Sequence, residues 1–234
     1  MSMNKSDPIT SMFDKDEVIV QRQLRPKDAA TLILVRRDSD VVRVLMGQRH
    51  GNMAFMAGKY VFPGGRMDLC DLRLSAASDL RSTEALKLGP KGRGLALAAI
   101  RETFEETGIL VGRRAAAAPR TRAASWARFF AQGVVPELSQ LSFIGRAITP
   151  PNRTRRFDAR FFMADASAVA HERARESNEL LTPCWVTLSE ARALDLPSIT
   201  RRMLDEVEAR AAGEHTRPVP FFRFRRGKAQ VDFL

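Results

Sequence analysis

Cysteine is nearly absent from this chain: Cys70 and Cys184 are the two in 234 residues, far apart and without metal-ligand spacing. That excludes a disulfide framework and a cysteine-held zinc site, and it suits a reduced, cytoplasmic setting in which both thiols are packing or surface groups. No apolar run approaches the roughly 20 residues a membrane-spanning helix needs, and the amino terminus lacks the charged-then-apolar pattern of a secretory signal. Internal repeats and low-complexity tracts are missing too, the run Ala115–Ala118 apart. Lysine is scarce, appearing seven times, so the net charge of +11 is carried mostly by arginine. Arginine grips phosphates bidentately. A cationic surface attracts an anionic nucleotide, a nucleic acid or an acidic membrane. The arginines are dispersed in pairs rather than massed in one basic block, which puts nucleic acid second to a small anionic ligand.

Hydrophobic residues, at 44% of the chain, are sufficient for a sizeable core in one domain with elaborations. Residues 1–28 read as a polar lead-in of mixed charge. The run 29–35 predicts a strand, Asp38-Ser39-Asp40 a turn, and 41–46 a returning strand. A Met-rich loop follows, then Val61-Phe62-Pro63-Gly64-Gly65, an apolar strand end running into a glycine turn. Glycines there let a carbonyl or a phosphate approach where a Cβ would obstruct it. Further along, 123–132 predicts an amphipathic helix, 143–149 and 155–164 strands, and 179–187 a last core strand. Residues 166–177 read as a loop or short helix. A helix capped by Thr187 or Ser189 follows, then a helix over 197–212 and a basic aromatic tail, 213–234, packing on the domain as an edge strand.

The stretch Arg101-Glu102-Thr103-Phe104-Glu105-Glu106-Thr107-Gly108-Ile109 carries the chemistry. On a helix of about 100° per residue, Leu97, Ile100 and Phe104 share a core-facing sector, and Glu102, Glu105 and Glu106 cluster opposite them. Gly108 terminates the helix, and 109–111 reads as a short buried strand. Three carboxylates on one face repel, so a cation should compensate them, and oxygen donors at this density suit Mg²⁺ or Mn²⁺. A solvated acidic face is the plain alternative.

Gly64-Gly65 followed by Arg-Glu-x-x-Glu-Glu-x-Gly-Ile resembles the Nudix box, G-x5-E-x7-R-E-U-x-E-E-x-G-U, where U is bulky and aliphatic. The second half matches, with Phe104 and Ile109 at the U positions. Gly65 and Arg101, however, stand 36 positions apart where the pattern has 14, so about 22 residues are inserted, within 66–94. The box glutamate would fall on Arg93 counting back from Arg101, or on Asp71 counting forward from Gly65, with Asp68 close by. Asp68 or Asp71 could fill that role. A split box, Gly58-x3-Phe62-Pro63-Gly64-Gly65, and Thr-Pro-Pro followed by Arg155-Arg156-Phe157-Asp158-x-Arg160 resemble the coenzyme A and acyl-CoA branch of the superfamily. A second motif arginine of that branch is Ala54 here.

The resemblance implies an α/β/α sandwich with a mixed central sheet over 29–212. It implies metal-dependent hydrolysis of a diphosphate linkage in a nucleoside diphosphate derivative, CoA or acyl-CoA first. It also implies Glu105, Glu106, Glu102 and the Gly64 carbonyl as ligands of Mg²⁺ or Mn²⁺. Glu102 is a candidate base as well, and Arg101 orients the helix. In this superfamily the general base does not always come from the box, and Glu179, Glu172 and His171 are the alternatives to Glu102. Arg49, Gly65, Arg155, Arg156 and Arg160 are candidate substrate contacts. ADP-ribose or dinucleotide hydrolysis, and a non-catalytic nucleotide- or RNA-binding module, are the competing readings. The partner is a small molecule, with no membrane, nucleic acid disfavoured and a homodimer left open.

Overall fold

The computed structural model describes residues 24–52, 56–117, 119–151, 153–172 and 177–234. Ala54 and part of the Met-rich loop lie outside these, as do most of the lead-in and residues 173–176. Strand β1 (Lys27–Asp38) turns through Ser39, at φ 57°, into β2 (Val41–Arg49). Two short strands follow, β3 (Tyr60–Val61) and β4 (Gly64–Arg66), then a 3-10 turn (Leu69–Arg73) and the helices α1 (Ser82–Leu88) and α2 (Gly92–Thr107). Next come β5 (Leu110–Val111), β6 (Arg113–Arg114), α3 (Ala124–Phe130), β7 (Val134–Val135), β8 (Ser142–Ile148), β9 (Phe157–Asp165) and β10 (Val169–His171). The chain closes with β11 (Leu180–Thr187), α4 (Leu188–Ala193), α5 (Ser198–Ala211), β12 (Pro220–Arg225) and β13 (Lys228–Phe233).

The main sheet runs β11-β2-β1-β9-β8-β12-β13. It is mixed: β1 lies parallel to β9 and β12 parallel to β8, while the other pairs are antiparallel. The apolar run of β1 is continuous because both faces are covered. Ala30, Leu32 and Leu34 pack with Leu95, Leu97, Ile100 and Phe104 of α2. Ile33 and Val35 pack on the opposite face with Ala191 of α4 and with Met203, Leu204 and Val207 of α5. This is the expected α/β/α sandwich. Burying a side chain such as Leu97 or Ile100 contributes about 1.5–3 kcal/mol.

One irregularity positions everything that follows. β1 and β2 pair only near their turn, from Val35↔Val44 to Asp38↔Val41. Beyond it they diverge, and residues 60–66 fill the fork, β3 pairing with β2 through Gly47↔Val61 and β4 with β1 through Thr31↔Gly64. Leu32 donates to the Pro63 carbonyl at 3.0 Å inside the fork, so the non-donating proline costs the sheet nothing there.

Two elements differ from expectation. β11 is an edge strand rather than a core strand, because only β2 flanks it among the described residues. The tail is a two-strand hairpin that extends the main sheet through β8 rather than a single edge strand. Residues 166–177 form a 3-10 turn and β10 as far as they are described.

Candidate active site

Helix α2 is buried nearly all round, since α1, α3 and the 3-10 turn cover what the sheet does not. Gly108 ends it in the left-handed region at φ 76°, its N–H returning to the Phe104 carbonyl at 2.8 Å. The last two turns therefore face the fork, and Glu106 is not solvated: it is 3% exposed and accepts the Gly64 N–H at 2.8 Å. Gly65 rests against Glu102, where an added Cβ would sit 2.5 Å from the carboxyl carbon. Only glycine lets strand and carboxylate come that close.

Arg101 ties these groups together. Its Nε donates to Asp71 Oδ1 at 3.0 Å and its Nη2 to Asp71 Oδ2 at 3.0 Å and the Arg66 carbonyl at 2.9 Å. Its Nη1 donates to Glu102 Oε1 and Glu105 Oε2, both at 2.8 Å. A guanidinium has five N–H donors, and these five bonds use them all. Arg101 therefore has no donor left for a substrate, and its work is to hold carboxylates in place. Asp71, fully buried, also accepts Trp126 Nε1 at 2.7 Å and the Asp68 N–H at 2.8 Å. Of the two aspartates singled out in the sequence, Asp71 is the one at the helix, while Asp68 faces Arg66 at 3.4 Å. Arg93 is elsewhere, pairing with Asp79 at 2.8 Å.

Burial raises the Glu102 carboxyl to about 7, against the pull of Arg101 and with Glu105 and Glu179 adding to the rise. Burial raises Glu106 to about 8; the Gly64 N–H and Arg49 oppose that rise, and Glu102 and Glu179 add to it. For Arg101, burial works against the charge, but Asp71, Glu102 and Glu105 outweigh it and hold the guanidinium well above its usual range. Three carboxylates thus surround one buried cation, with Glu106 buried beside them, an excess of negative charge in an all-oxygen donor set. A divalent Mg²⁺ or Mn²⁺ fits that chemistry. As the side chains stand, no three of the described His, Cys, Asp or Glu groups converge enough to share an ion. Arg101 draws Glu102 and Glu105 to itself in the position a cation would compete for.

A cleft of about 1130 Å³ opens beside this cluster. Glu102 and Glu179 line it, as do Arg49, Gly65, Arg155 and Arg156. Arg49 and Leu180 are register partners across β2 and β11, which brings Glu179 to the carboxylates. Arg49 Nε is buried without a hydrogen-bond partner among the described residues. Arg156 is committed to the carbonyls of Thr149, at 3.0 Å, and Leu24, at 2.7 Å. Arg160 does not line the cleft: it is buried in a network with Asp28 at 2.9 Å and Asp158 at 3.1 Å. Glu172 and His171 are not among the lining residues either, and Glu172 is bound by Trp185 and Arg36. Trp126 escaped sequence reasoning as a site residue because its spacing with Phe129 and Phe130 signals only an apolar helix face.

The mixed sandwich, whose buried helix presses a carboxylate cluster onto a glycine turn at the sheet fork, forms an oxygen-donor site beside an arginine-rimmed cleft. Residues 25–207 match the NUDIX domain model, and the chain belongs to that family as a Nudix hydrolase. The Nudix hydrolase from Alicyclobacillus acidocaldarius is 27% identical, with a TM-score of 0.64 over 79% of this chain and 91% of that one. The NUDIX domain of Shewanella oneidensis NrtR, solved with ADP-ribose, shares the fold at 12% identity and a TM-score of 0.50, over 80% and 89% of the two chains.

Proposed function

We propose that this Nudix hydrolase uses Mg²⁺ or Mn²⁺ to cleave the diphosphate of CoA or acyl-CoA, giving 3′,5′-ADP and a phosphopantetheine. One observation carries the reading: a single cleft joins the carboxylates Glu102 and Glu179 to a rim containing Arg25, Arg49, Arg153 and Arg155. Glu105, Glu106 and Glu102, with the Gly64 carbonyl, would hold the ion. When bound, it supplies neutralisation of diphosphate charge and Lewis acidity at phosphorus. Arg101 holds Glu102, which lines the cleft, and Glu105 beside it. Glu179, which bears no hydrogen bond on its carboxylate among the described residues, accepts the proton of the attacking water as the bridging P–O bond breaks. Arg49 and Arg155 hold phosphate oxygens by charge-assisted hydrogen bonds. CoA bears a 3′-phosphate that ADP-ribose lacks, and the cationic rim favours the more anionic ligand. The split box and Gly58-x3-Phe62-Pro63-Gly64-Gly65 support the same choice.

Competition between CoA and ADP-ribose at equal concentration tests this, since the ratio of kcat/KM values reports discrimination directly. CoA is expected to win; a preference for ADP-ribose, or for dephospho-CoA over CoA, overturns the substrate. Glu105→Gln and Glu106→Gln are each expected to lower turnover by about 10²-fold or more, roughly 3 kcal/mol, with the fold retained. Full activity in chelator overturns the role of the metal, and no hydrolysis of any nucleoside diphosphate compound with metal present overturns the reaction and leaves the binding-module reading.

A further inference from the structure

We infer that β13 is the interface of a homodimer in which two copies pair antiparallel, edge to edge, about Gln230. The two ends of the main sheet are built differently. At one end β11 carries Pro183 and a register shift between Leu181 and Cys184, features that spoil a strand as a template for another chain. At the other end β13 pairs continuously with β12, from Pro220↔Phe233 to Arg225↔Lys228, with no shift, and it contains no proline. Among the described residues nothing pairs with its outer side. Phe233 is 67% exposed there, and Leu234 beside it is exposed too.

The hairpin determines which groups face outward. Its turn residues Arg226 and Gly227 have φ 52° and 77°, both positive, as in a two-residue type I′ turn. The closing pair Arg225↔Lys228 of such a hairpin exchanges both hydrogen bonds. By alternation, Lys228, Gln230 and Asp232 direct their N–H and C=O to β12, and Ala229, Val231 and Phe233 direct theirs outward. Two copies can therefore pair only where outward-directed residues meet. About Gln230, Ala229 meets Val231 of the second copy in a hydrogen-bonded pair, and the reverse. The same register sets Lys228 opposite Asp232 of the second copy, twice over, in the closer non-hydrogen-bonded pairs where cross-strand charges interact best. It also lays the exposed Phe233 ring over Gly227, which has no side chain to obstruct it. Shifting the two-fold axis to Ala229 or Val231 loses both Lys–Asp pairs. Asp232 already forms an ion pair with Arg223 of its own chain at 2.6 Å, so the incoming lysine extends a charge row.

Sedimentation velocity of the full chain across micromolar concentrations reads this out. The wild type is expected to dimerise reversibly. Lys228→Asp and Asp232→Lys should each raise the dimer Kd about tenfold or more, and the double exchange should restore it. Val231→Pro removes only an outward N–H, so it should abolish the dimer while keeping a cooperative thermal melt. If Asp232→Lys disturbs the hairpin through Arg223, Lys228→Asp and Val231→Pro still decide. A monomer at every concentration, or a dimer indifferent to all of these changes, overturns the interface.

Discussion

Glu102 and Glu106 titrate in the folded protein near 7 and 8 because burial and neighbouring carboxylates disfavour their charge. In the unfolded chain a glutamate titrates near about 4.3. Between those values the folded state holds more protons than the unfolded one, so stability falls as pH rises. The metal-free protein should therefore lose thermal stability steadily from about pH 5 to about pH 8 through these two groups. A divalent cation favours the ionised carboxylates, so Mg²⁺ should flatten that loss and its binding should release protons. Melting temperatures across this range, with and without Mg²⁺, check the sign; a metal-free protein that gains stability over the same interval would contradict it. At this scale much of the site was legible. The spacing of Glu102, Glu105 and Glu106 sufficed to place them on one helix, and Gly65 was marked as a close-approach position. What spacing could not show is depth: nothing in Glu105-Glu106 distinguishes the half-exposed carboxylate from the one sealed under β4. Likewise, a basic dipeptide just before β9 did not reveal that Arg156 is spent on backbone carbonyls.

The interval between β4 and α2 shows how an element works at a distance from its sequence neighbours. The 3-10 turn returns Asp71 to Arg101 across 30 positions, and Trp126 of α3 closes over it from a different part of the chain. Removing the Asp71 carboxylate leaves two of the five Arg101 donors and the buried indole N–H without an acceptor. Asp71→Ala should therefore destabilise by about 3–5 kcal/mol and loosen Glu102 and Glu105. Asp68→Ala removes a partly exposed pair with Arg66 and should cost about 0–1 kcal/mol. Urea midpoints of the two variants decide this, and equal effects would deny Asp71 its place as the anchor. The sequence narrowed the choice to these two aspartates. It could not choose between them, because the folding-back that selects Asp71 depends on an α3 tryptophan whose own surroundings show no polar pattern.

In the molecule as a whole, strands and helices were legible where apolar periodicity was long, as in β1, β9, α2 and α5. They were obscured at the two sheet edges, where half the residues face solvent and the pattern weakens, so β11 was read as core and the β12–β13 hairpin as one strand. The arginines divide by the same geometry. Arg49 and Arg155 face the cleft, whereas Arg160 lies between Asp28 and Asp158 and joins β9 to β1. Arg49→Ala should thus raise KM for a diphosphate substrate with little change in melting temperature. Arg160→Ala should do the reverse, costing about 1.5–3 kcal/mol through lost charged hydrogen bonds, since Asp28 keeps Lys91 and Asp158 keeps Arg146 as partners. Steady-state kinetics beside thermal melts would expose the assignment as wrong if the two variants exchanged behaviours.

The contact between the Gly64 N–H and Glu106 has a use outside chemistry and stability. An amide proton whose nitrogen lies 2.8 Å from a carboxylate oxygen is strongly deshielded. Its ¹H–¹⁵N resonance should therefore lie far downfield in a glycine region that is otherwise sparsely crowded. Anything that withdraws electron density from Glu106, a proton or a divalent cation alike, should move that one signal upfield. The backbone of this protein thus carries its own spectroscopic gauge of what its carboxylates are holding, readable without any substrate.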